Sequence, residues 1–585
     1  MERPAIILAG YNALRKGASF APQLLKKSGE MMNREFTGVH QAALLLAVAG
    51  IAAKTLALLR DRILASTFGA GLALDIYYAA FRVPDIIYTI ALFLSASTAL
   101  IPIILEQEKV GRERAKKFIG TIISWFMVII AAIGLAAYFA MPFITKIITP
   151  GLDNIDQKTV TELARILLLQ SFLLGLSGIV SSIVQTFKKF FVYALSPIFY
   201  NLGIIAGILY FYPNWGLTGL VFGAVLGALL HLIIQLPSII TLGFWPRISF
   251  KITPEVRSAV ALSLPRTLGI SFGQSIFAAS TAIASTIGAG SIAIFNLSYN
   301  LQSVPLTIIG VSYSVAAFPF LAGIAVKEDL QKFLAHFSSA FRHIVFWSLP
   351  ATILIIVLRA HIVRVILGAG NFSWTDTRLT AASLALFSLS IISQGLIALY
   401  IRAFYAAGRT KIPLAISALG ALVTITLSWV FARLYLNFET ISSFLSAALR
   451  VPDVKNSAIL ALPLAFSLGS LTALILFAYY FNKEWGRLDG KIFLRSILQM
   501  TFASITAGII AFGALRTLDN LFNLETFLGI FTHGALAGTA GIIIWAAFLI
   551  FSKNRELLEI RGTLKARFWK TRIITANEPS TGTEL

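Results

Sequence analysis

Five charged side chains lie inside long apolar stretches of this sequence, and they are the residues best placed to do chemistry. Lys54, Arg60 and Asp61 lie in the first stretch, and Asp75 and Arg82 lie in the second. A charge in hydrocarbon is costly, so residues of this kind usually serve a function. Ammonium and guanidinium groups bind phosphate oxygens through charge-assisted hydrogen bonds. We therefore expect these residues to bind an anion.

Helix geometry limits which of these charges share a face. Lys54 and Asp61 are seven residues apart, so they lie on the same face of a helix about two turns apart. Arg60 lies about 120° away from Lys54 on an ideal helix, so both reach one cavity only if the helix bends. Gly50 makes such a bend possible. The alternative is that residues 60–62 pair locally near a span end and only set the register of the helix.

The second half of the chain is poorer in charge. Arg266 lies at the start of an apolar stretch that also holds Gln274, and the next stretch holds Asn296, Asn300 and Gln302. Arg266 is a candidate for the same site, or an interfacial anchor that reaches back to the membrane surface. Cations gathered mainly in one half, in a cleft open to the bilayer, suit a large anionic amphiphile. Its charge would lie on phosphates while its tail stays in lipid.

The elements that position these residues are transmembrane helices. The chain is 57% hydrophobic and only 13% charged, with a mean hydropathy of +0.82, whereas soluble proteins carry about 25% charged residues. Apolar blocks long enough to span a bilayer recur along the chain. The sequence therefore predicts an all-α polytopic membrane protein with about fourteen spans. These are predicted near 41–66, 75–105, 118–147, 160–187, 193–212, 216–243, 256–287, 291–325, 333–366, 378–407, 412–436, 456–481, 493–515 and 530–552.

An internal repeat organises these spans. ILASTFGAG at 63–71 returns as AIASTIGAG at 282–290, and VQTFKKFFVYALSP ending at Pro197 is followed by IRAFYAAGRTKIP ending at Pro413. The offsets of 219 and 216 residues predict two pseudo-symmetric six-helix lobes around a central cavity, an arrangement typical of transporters. The predicted domains are a basic N-terminal extension (1–39), an N-lobe (40–243), a C-lobe (256–482), two C-terminal spans (493–552) and a basic tail (553–585).

The distribution of Lys and Arg predicts the orientation. Alternate connections are rich in cations, and the positive-inside rule makes these cytoplasmic, together with both termini. They are the connections near 109–117, 188–189, 247–257, 327–332, 409–411 and 483–491. The net charge of +22 is explained by this topology and by attraction to anionic lipids, so a nucleic-acid partner is not expected. The extension at 1–39 is not a removable signal peptide, and the tail after Lys553 could lie as a basic amphipathic helix on the inner leaflet.

No cofactor or metal site is expected. The chain has no cysteine, which excludes disulfides and zinc-thiolate sites, and its six histidines show no ligand spacing. The segment 437–455, which lies between two spans, has the pattern of an outward amphipathic turn.

The segment ALLRDRILASTFGAGLALDIYYAAFRVPDII resembles the opening of the MurJ (MviN) family of lipid II flippases in the MOP exporter superfamily. The resemblance covers about residues 40–550. It implies a bacterial cytoplasmic-membrane protein that moves undecaprenyl-pyrophosphate-linked disaccharide-peptide from the inner to the outer leaflet for peptidoglycan synthesis. Lipid II, membrane lipids and possible cell-wall synthesis machinery are the implied partners. In this resemblance Lys54 takes the place of a first-span basic residue, and Arg60, Asp61 and Asp75 match directly.

The sequence departs from the family pattern at some positions. Asn300 replaces the usual arginine of the eighth span, and Tyr88 and Thr89 replace arginines of the second span. Residues 93–97 replace an E-G-A-F-S stretch. Arg266 and Arg82 are the candidates to compensate. The second lobe lacks well-placed carboxylates for a sodium site, so membrane potential is the expected energy source.

Other classes fit parts of the pattern. A polysaccharide-repeat flippase would also carry a lipid-linked pyrophosphate, and only the RD…FGAG…D pattern separates the two. A multidrug antiporter of the same superfamily should favour acidic cavity residues. A membrane glycosyltransferase would need acidic metal ligands in an outward loop, but Asp153, Asp156 and Asp376 are scattered in short loops. We therefore expect a transporter and not an enzyme.

Overall fold

A computed structural model describes residues 39–95, 97–244, 248–325, 329–486 and 490–569, and these residues contain helices and no β-strand. The predicted extension at 1–39 falls almost wholly outside this range, as do Arg247, Lys327 and Arg487. The helices are α1 (Val39–Phe68), α2 (Leu72–Ala80), α3 (Arg82–Ser95), α4 (Ser97–Val110), α5 (Arg112–Ile148), α6 (Asn154–Thr186), α7 (Phe190–Ala206), α8 (Tyr212–Ile233), α9 (Leu236–Thr241), α10 (Pro254–Ile287), α11 (Ser291–Leu306), α12 (Ser312–Ala325), α13 (Leu330–Ile366), α14 (Trp374–Ser388), α15 (Ser390–Ala406), α16 (Lys411–Asn437), α17 (Glu439–Ala448), α18 (Ala461–Trp485), α19 (Gly490–Leu518), α20 (Phe527–Phe551) and α21 (Arg555–Trp569). Single π-helical turns at Gly207–Phe211 and Thr307–Val311 join α7 to α8 and α11 to α12.

Ten helical segments in the described residues are long and apolar enough to cross a bilayer, or up to eleven if α14 and α15 form one bent span. One of the ten, Phe190–Thr241, has 52 residues, so it would be about 78 Å long if straight, more than twice the hydrocarbon thickness. Its backbone turns at Gly216, where φ is 56° and ψ is −144°. Gly203 lies against Gly227, and Gly207 against Gly223. The segment is therefore an antiparallel hairpin of two spans.

Two further predicted spans are helical although they are not among the ten. The charged α1 covers the first predicted span, and α2, α3 and α4 together cover the second. Pro84 explains the break at Phe81, because a proline ring excludes the hydrogen bond to the carbonyl four residues earlier. The all-helical membrane fold is confirmed, and a count of fourteen spans is compatible with it.

The chain divides into two compact units that do not follow chain order. The first contains the chain up to Val304 with Arg359–Ser393 and Gly408–Tyr480, and the second contains Pro305–Leu358, Gln394–Ala407 and the chain from Phe481. The predicted lobes at 40–243 and 256–482 stay predictions.

The second unit is held by aromatic packing and by one buried ion pair. The rings of Phe337 and Phe481 stack with centroids 4.2 Å apart, and Tyr400 packs against both. Arg342 Nε donates to Glu556 Oε1 at 2.7 Å, and Glu556 Oε2 accepts from the Ser496 hydroxyl at 2.5 Å. The predicted tail helix is thus present as α21, and its first turn is buried in the second unit, not only laid on a surface.

The segment predicted as an amphipathic turn forms α17, which leaves the side chain of Phe444 75% exposed. The connection after it is tied back by Arg378, whose two terminal nitrogens both donate to the Asp453 carboxylate at 2.7 Å. These hydrogen bonds from Arg378 hold the pKa of Asp453 below its usual range.

Candidate functional site

A polar cavity of about 280 Å³ lies inside the first unit, among α1, α2, α3, α7, α10 and α11. It brings together both ends of the internal repeat, since α1–α3 and α10–α11 follow its two copies. The cavity is lined by Arg60, Leu64, Tyr77, Tyr78, Phe81, Arg82, Asp85, Tyr200, Ile204, Gln274, Phe277, Asn296, Tyr299 and Asn300. Of the predicted site residues, Arg60, Arg82 and Asn300 therefore line one cavity.

Arg60 is held in the cavity wall by two neighbours. Its Nε and Nη2 donate to Asp61 Oδ1 at 3.0 and 2.7 Å, and its Nη1 donates to Asn201 Oδ1 at 3.1 Å. Asn300 Nδ2 donates to the other Asp61 oxygen at 3.0 Å. Asp61 thus connects α1 to α11, and its side chain is only 4% exposed, against 19% for Arg60. A guanidinium has five N–H donors, so two of those on Arg60 remain for a ligand.

Arg82 is the second guanidinium of the cavity and is fixed by the second copy of the repeat. Its Nε donates to Thr281 Oγ1 at 2.8 Å and its Nη2 donates to Asn296 Oδ1. The guanidinium lies 5.5 Å from the centroid of the Phe277 ring. Three of its N–H donors have no hydrogen-bond partner among the described residues. Asp85, one helical turn further along α3, also faces the cavity.

Asp75 lies at the end of α11 and not in the cavity. Its two carboxylate oxygens accept from the backbone N–H groups of Gly290 and Ala293 at 2.6 and 2.7 Å. The residue is 1% exposed. An anion at a helix N-terminus is stabilised by the free N–H groups and the helix dipole. Asp75 therefore caps α11 from the first copy of the repeat.

The remaining predicted residues lie elsewhere or are not described. Lys54 is half-buried on α1 and does not line the cavity. Arg62 donates to the carbonyl oxygens of Val365 and Ile366, and so caps the end of α13. The side chain of Arg266 lies outside the described part of the chain, as do those of residues 93–97.

The two copies of the small-residue motif meet at the end of the first unit where α1 ends and α11 begins. A β-carbon at Gly290 would overlap the carbonyl oxygen of Ala70, and one at Gly370 would overlap that of Ser66. Asn371 N donates to Ser66 O at 2.8 Å. Backbone packs directly on backbone here, which leaves no passage between these loops. This end of the first unit is closed.

The aromatic residues of the cavity were not predicted from sequence. Four tyrosines line it, Tyr77, Tyr78, Tyr200 and Tyr299. In a chain with 16 tyrosines and 45 phenylalanines, nothing in their spacing separates them from core residues. Asp85 could have been found, because it lies three residues after Arg82 in the same apolar stretch. Among the described residues, no group of three or more His, Cys, Asp or Glu side chains is arranged to hold a metal.

The fold is shared with solved transporters. A structure titled "Lipid II flippase MurJ, inward closed conformation" superposes with a TM-score of 0.68 at 21% identity, over 86% of this chain and 99% of that one. An inward-facing multidrug resistance MATE family transporter of the MOP superfamily superposes with a TM-score of 0.60 at 13% identity, over 75% and 96%. The cavity therefore belongs to a membrane protein with the fold of the MOP superfamily.

Sequence comparison identifies the family within that superfamily. Residues 64–532 match the family model described as "Lipid II flippase MurJ". The lipid II flippase MurJ of Burkholderia cenocepacia is 24% identical over 406 residues, which cover 67% of this chain and 78% of the relative. A probable lipid II flippase MurJ of Buchnera aphidicola subsp. Acyrthosiphon pisum is 29% identical over 374 residues, or 62% and 72%. The chain belongs to the MurJ lipid II flippase family, and the predicted resemblance is confirmed.

Proposed function

We propose that this chain moves lipid II, the undecaprenyl-pyrophosphate-linked disaccharide-peptide, across the bacterial cytoplasmic membrane for peptidoglycan synthesis. The observation that carries this proposal is the cavity of a MurJ-family chain into which two guanidiniums, Arg60 and Arg82, present five unpaired N–H donors in total. Fixed guanidinium N–H groups suit phosphate oxygens, because a planar fork can bind two oxygens at once.

The residues of the site have distinct roles in this proposal. Arg60 and Arg82 contact the pyrophosphate, while Asp61 and Asn300 hold Arg60 in place. Asp75 acts indirectly, because it fixes the start of α11, which carries Asn296 and Asn300. Lys54 and Arg266 remain predicted contacts of the substrate, at positions outside the cavity lining.

Transport proceeds by alternating access in this proposal. The cavity volume lies just below the ~300–1,000 Å³ of typical small-molecule pockets, so a disaccharide-peptide enters only after the cavity widens. Rocking of residues 40–243 against 256–482 would open it to either leaflet in turn. Both termini are placed in the cytoplasm, membrane potential supplies the energy, and the cell-wall synthesis machinery receives the product. These assignments rest on the charge pattern of the connections and on the family.

Depletion of the protein tests the function in its own cell. We expect labelled lipid II to accumulate in the inner leaflet, and reintroduction of the parent chain, but not of a variant with both Arg60→Ala and Arg82→Ala, to restore its appearance outside. A variant with Arg433→Ala, which removes an exposed arginine on α16, is the matched control and should complement. Normal outer-leaflet lipid II after depletion, in a strain without a second flippase, would contradict the proposal.

Multidrug export is not favoured, although MATE transporters share the fold. A cavity for cationic drugs needs a net negative lining, whereas two arginines and one aspartate line this cavity.

A further inference from the structure

The two sides of the cavity differ in charge. All of its charged lining residues, Arg60, Arg82 and Asp85, come from α1 and α3. The lining residues of α10 and α11 are neutral amides and aromatic rings. A phosphate placed on the α10–α11 side would find no cation there, so this side must serve a different part of a ligand.

Polar groups on the α10–α11 side are left open. The Gln274 carboxamide and the Tyr299 hydroxyl have no hydrogen-bond partner among the described residues, and both side chains are partly exposed. Asn300 uses its Nδ2 to donate to Asp61 and keeps its carbonyl oxygen free. A carboxamide and a hydroxyl both donate and accept, which matches neutral hydroxyl and acetamido groups.

The aromatic rings on this side are held in fixed orientations. The rings of Phe277 and Tyr299 meet edge to face with centroids 4.7 Å apart. Behind them, Tyr299 packs against Phe387 at 5.7 Å and Phe466 at 5.8 Å, and both of these are buried. Ring packing of this kind restrains both side chains. Rigid rings beside unpartnered amides suit a sugar, whose C–H faces are apolar and whose edges carry hydroxyls.

We propose that Gln274, Phe277 and Tyr299 form a subsite for the N-acetyl sugar next to the pyrophosphate of the lipid-linked substrate. This inference rests on the proposed function. The pyrophosphate lies on the Arg60 and Arg82 side, and the first sugar lies across the cavity on the neutral side. The small volume of the cavity admits only this proximal part of the head group in the present conformation. The subsite positions the substrate and reads its sugar, while the arginines bind any polyprenyl pyrophosphate.

Two lipids that differ only in the sugar separate these roles. The purified full-length chain in nanodiscs is titrated with undecaprenyl pyrophosphate and with the same lipid carrying one N-acetylglucosamine. We expect the parent to bind the sugar-bearing lipid about tenfold more tightly, because a hydrogen bond or two and one ring contact are gained. Gln274→Leu and Tyr299→Leu should each reduce this preference about three- to tenfold and change the affinity for undecaprenyl pyrophosphate less than twofold.

Matched variants control for folding and for charge. Gln302→Leu removes a fully buried carboxamide on α11 that does not line the cavity, and it should keep the parent's preference. Arg60→Ala should weaken the binding of both lipids by the same factor. Tyr299→Phe keeps the ring, so it should lose less of the preference than Tyr299→Leu, even if the leucine variant folds poorly.

The outcomes distinguish the subsite from the flippase function. If the parent binds both lipids equally, or if the Gln274 and Tyr299 variants weaken both equally, the sugar subsite is wrong while the proposed function stands. If the parent binds neither lipid, the proposed function itself fails. A selective loss of the sugar preference in both variants supports the subsite.

Discussion

At the scale of single residues, the site is built on neutralised and capped charges and not on isolated ones. Asp61 is buried between Arg60 and Asn300, so the charge of α1 is largely balanced within the wall itself. The guanidinium keeps donors for a ligand because a carboxylate and an amide occupy only three of its five N–H groups. Asn300 therefore replaces a cation with a hydrogen bond that holds the first copy of the repeat to the second.

Arg60→Ala should weaken the binding of lipid II by about tenfold to a hundredfold, because a charge-assisted hydrogen bond contributes about 1.5–3 kcal/mol. Arg60→Lys should recover only part of the affinity, since an ammonium cannot reach Asp61, Asn201 and a phosphate together. Binding is measured with purified protein by fluorescence or calorimetry. The double variant Arg60→Ala with Asp61→Asn removes the carboxylate left unpaired and controls for folding. Parent-like binding by Arg60→Ala would show that the pair is structural.

Asp75→Ala should lower the stability of the protein, because it leaves the N–H groups of Gly290 and Ala293 without an acceptor. The expected loss is about 1–3 kcal/mol, seen as a lower midpoint in thermal unfolding. Asp75→Asn keeps one oxygen acceptor and should lose about half as much. An unchanged midpoint combined with lost transport would indicate a role in transport and not in capping.

At the scale of elements, glycines decide how closely α7 and α8 approach. Gly203, Gly207, Gly223 and Gly227 face one another across the hairpin, and a β-carbon at any of them would overlap backbone of the facing strand of the hairpin. Small residues at such crossings allow close van der Waals packing in membranes, where no hydrophobic effect drives helices together.

Gly223→Ala should therefore destabilise the protein by about 1–3 kcal/mol, as overpacking does in other closely packed cores. Gly134→Ala is the matched control, because no atom lies within 4 Å of the added β-carbon. It should leave stability unchanged or raise it slightly through helix propensity. Both are compared by thermal unfolding in the same detergent, and equal midpoints for the two variants would contradict the close-packing account.

The ion pair between α13 and α21 makes a second prediction at this scale. Glu556→Ala leaves the Arg342 guanidinium buried and unpaired, which should cost about 3–5 kcal/mol. Replacing both residues by apolar ones, as in Arg342→Met with Glu556→Leu, should recover most of the loss. Limited proteolysis of the C-terminal helix together with thermal unfolding measures both. A double variant as unstable as the single one would mean that the pair contributes more than charge compensation.

At the scale of the whole molecule, transport requires the closed end of the first unit to open. The chain has no native cysteine, so Ala70→Cys with Ala289→Cys introduces the only two thiols. A short reducible crosslinker between them should stop lipid II flipping in proteoliposomes, and reduction should restore it. The single-cysteine variants treated with the same reagent are the controls. Full flipping by the crosslinked protein would rule out rocking that separates these loops.

The sequence predicts the helices well and the cavity only in part. Length and apolarity are local properties, so every predicted span falls on helical residues, and Pro84 and Gly216 can be read as breaks. Which side chains meet depends on how distant helices pack. Asn201 lies 141 residues from the arginine that it holds, and Thr281 lies 199 residues from Arg82. The charges could be predicted because hydrocarbon penalises them, whereas Tyr299 and Phe277 look like any other core residue.

The buried Arg342–Glu556 pair also sets an order of events during synthesis. The two residues are 214 positions apart, so at ~5–20 residues per second the arginine waits roughly 10–40 s in the membrane before its partner is made. Until then its charge is uncompensated, and α13 is expected to dock loosely. A message truncated before codon 556 yields a chain that never completes this step. The last helix thus reports to the rest of the second unit that translation has finished, and quality-control proteases can distinguish complete chains from incomplete ones.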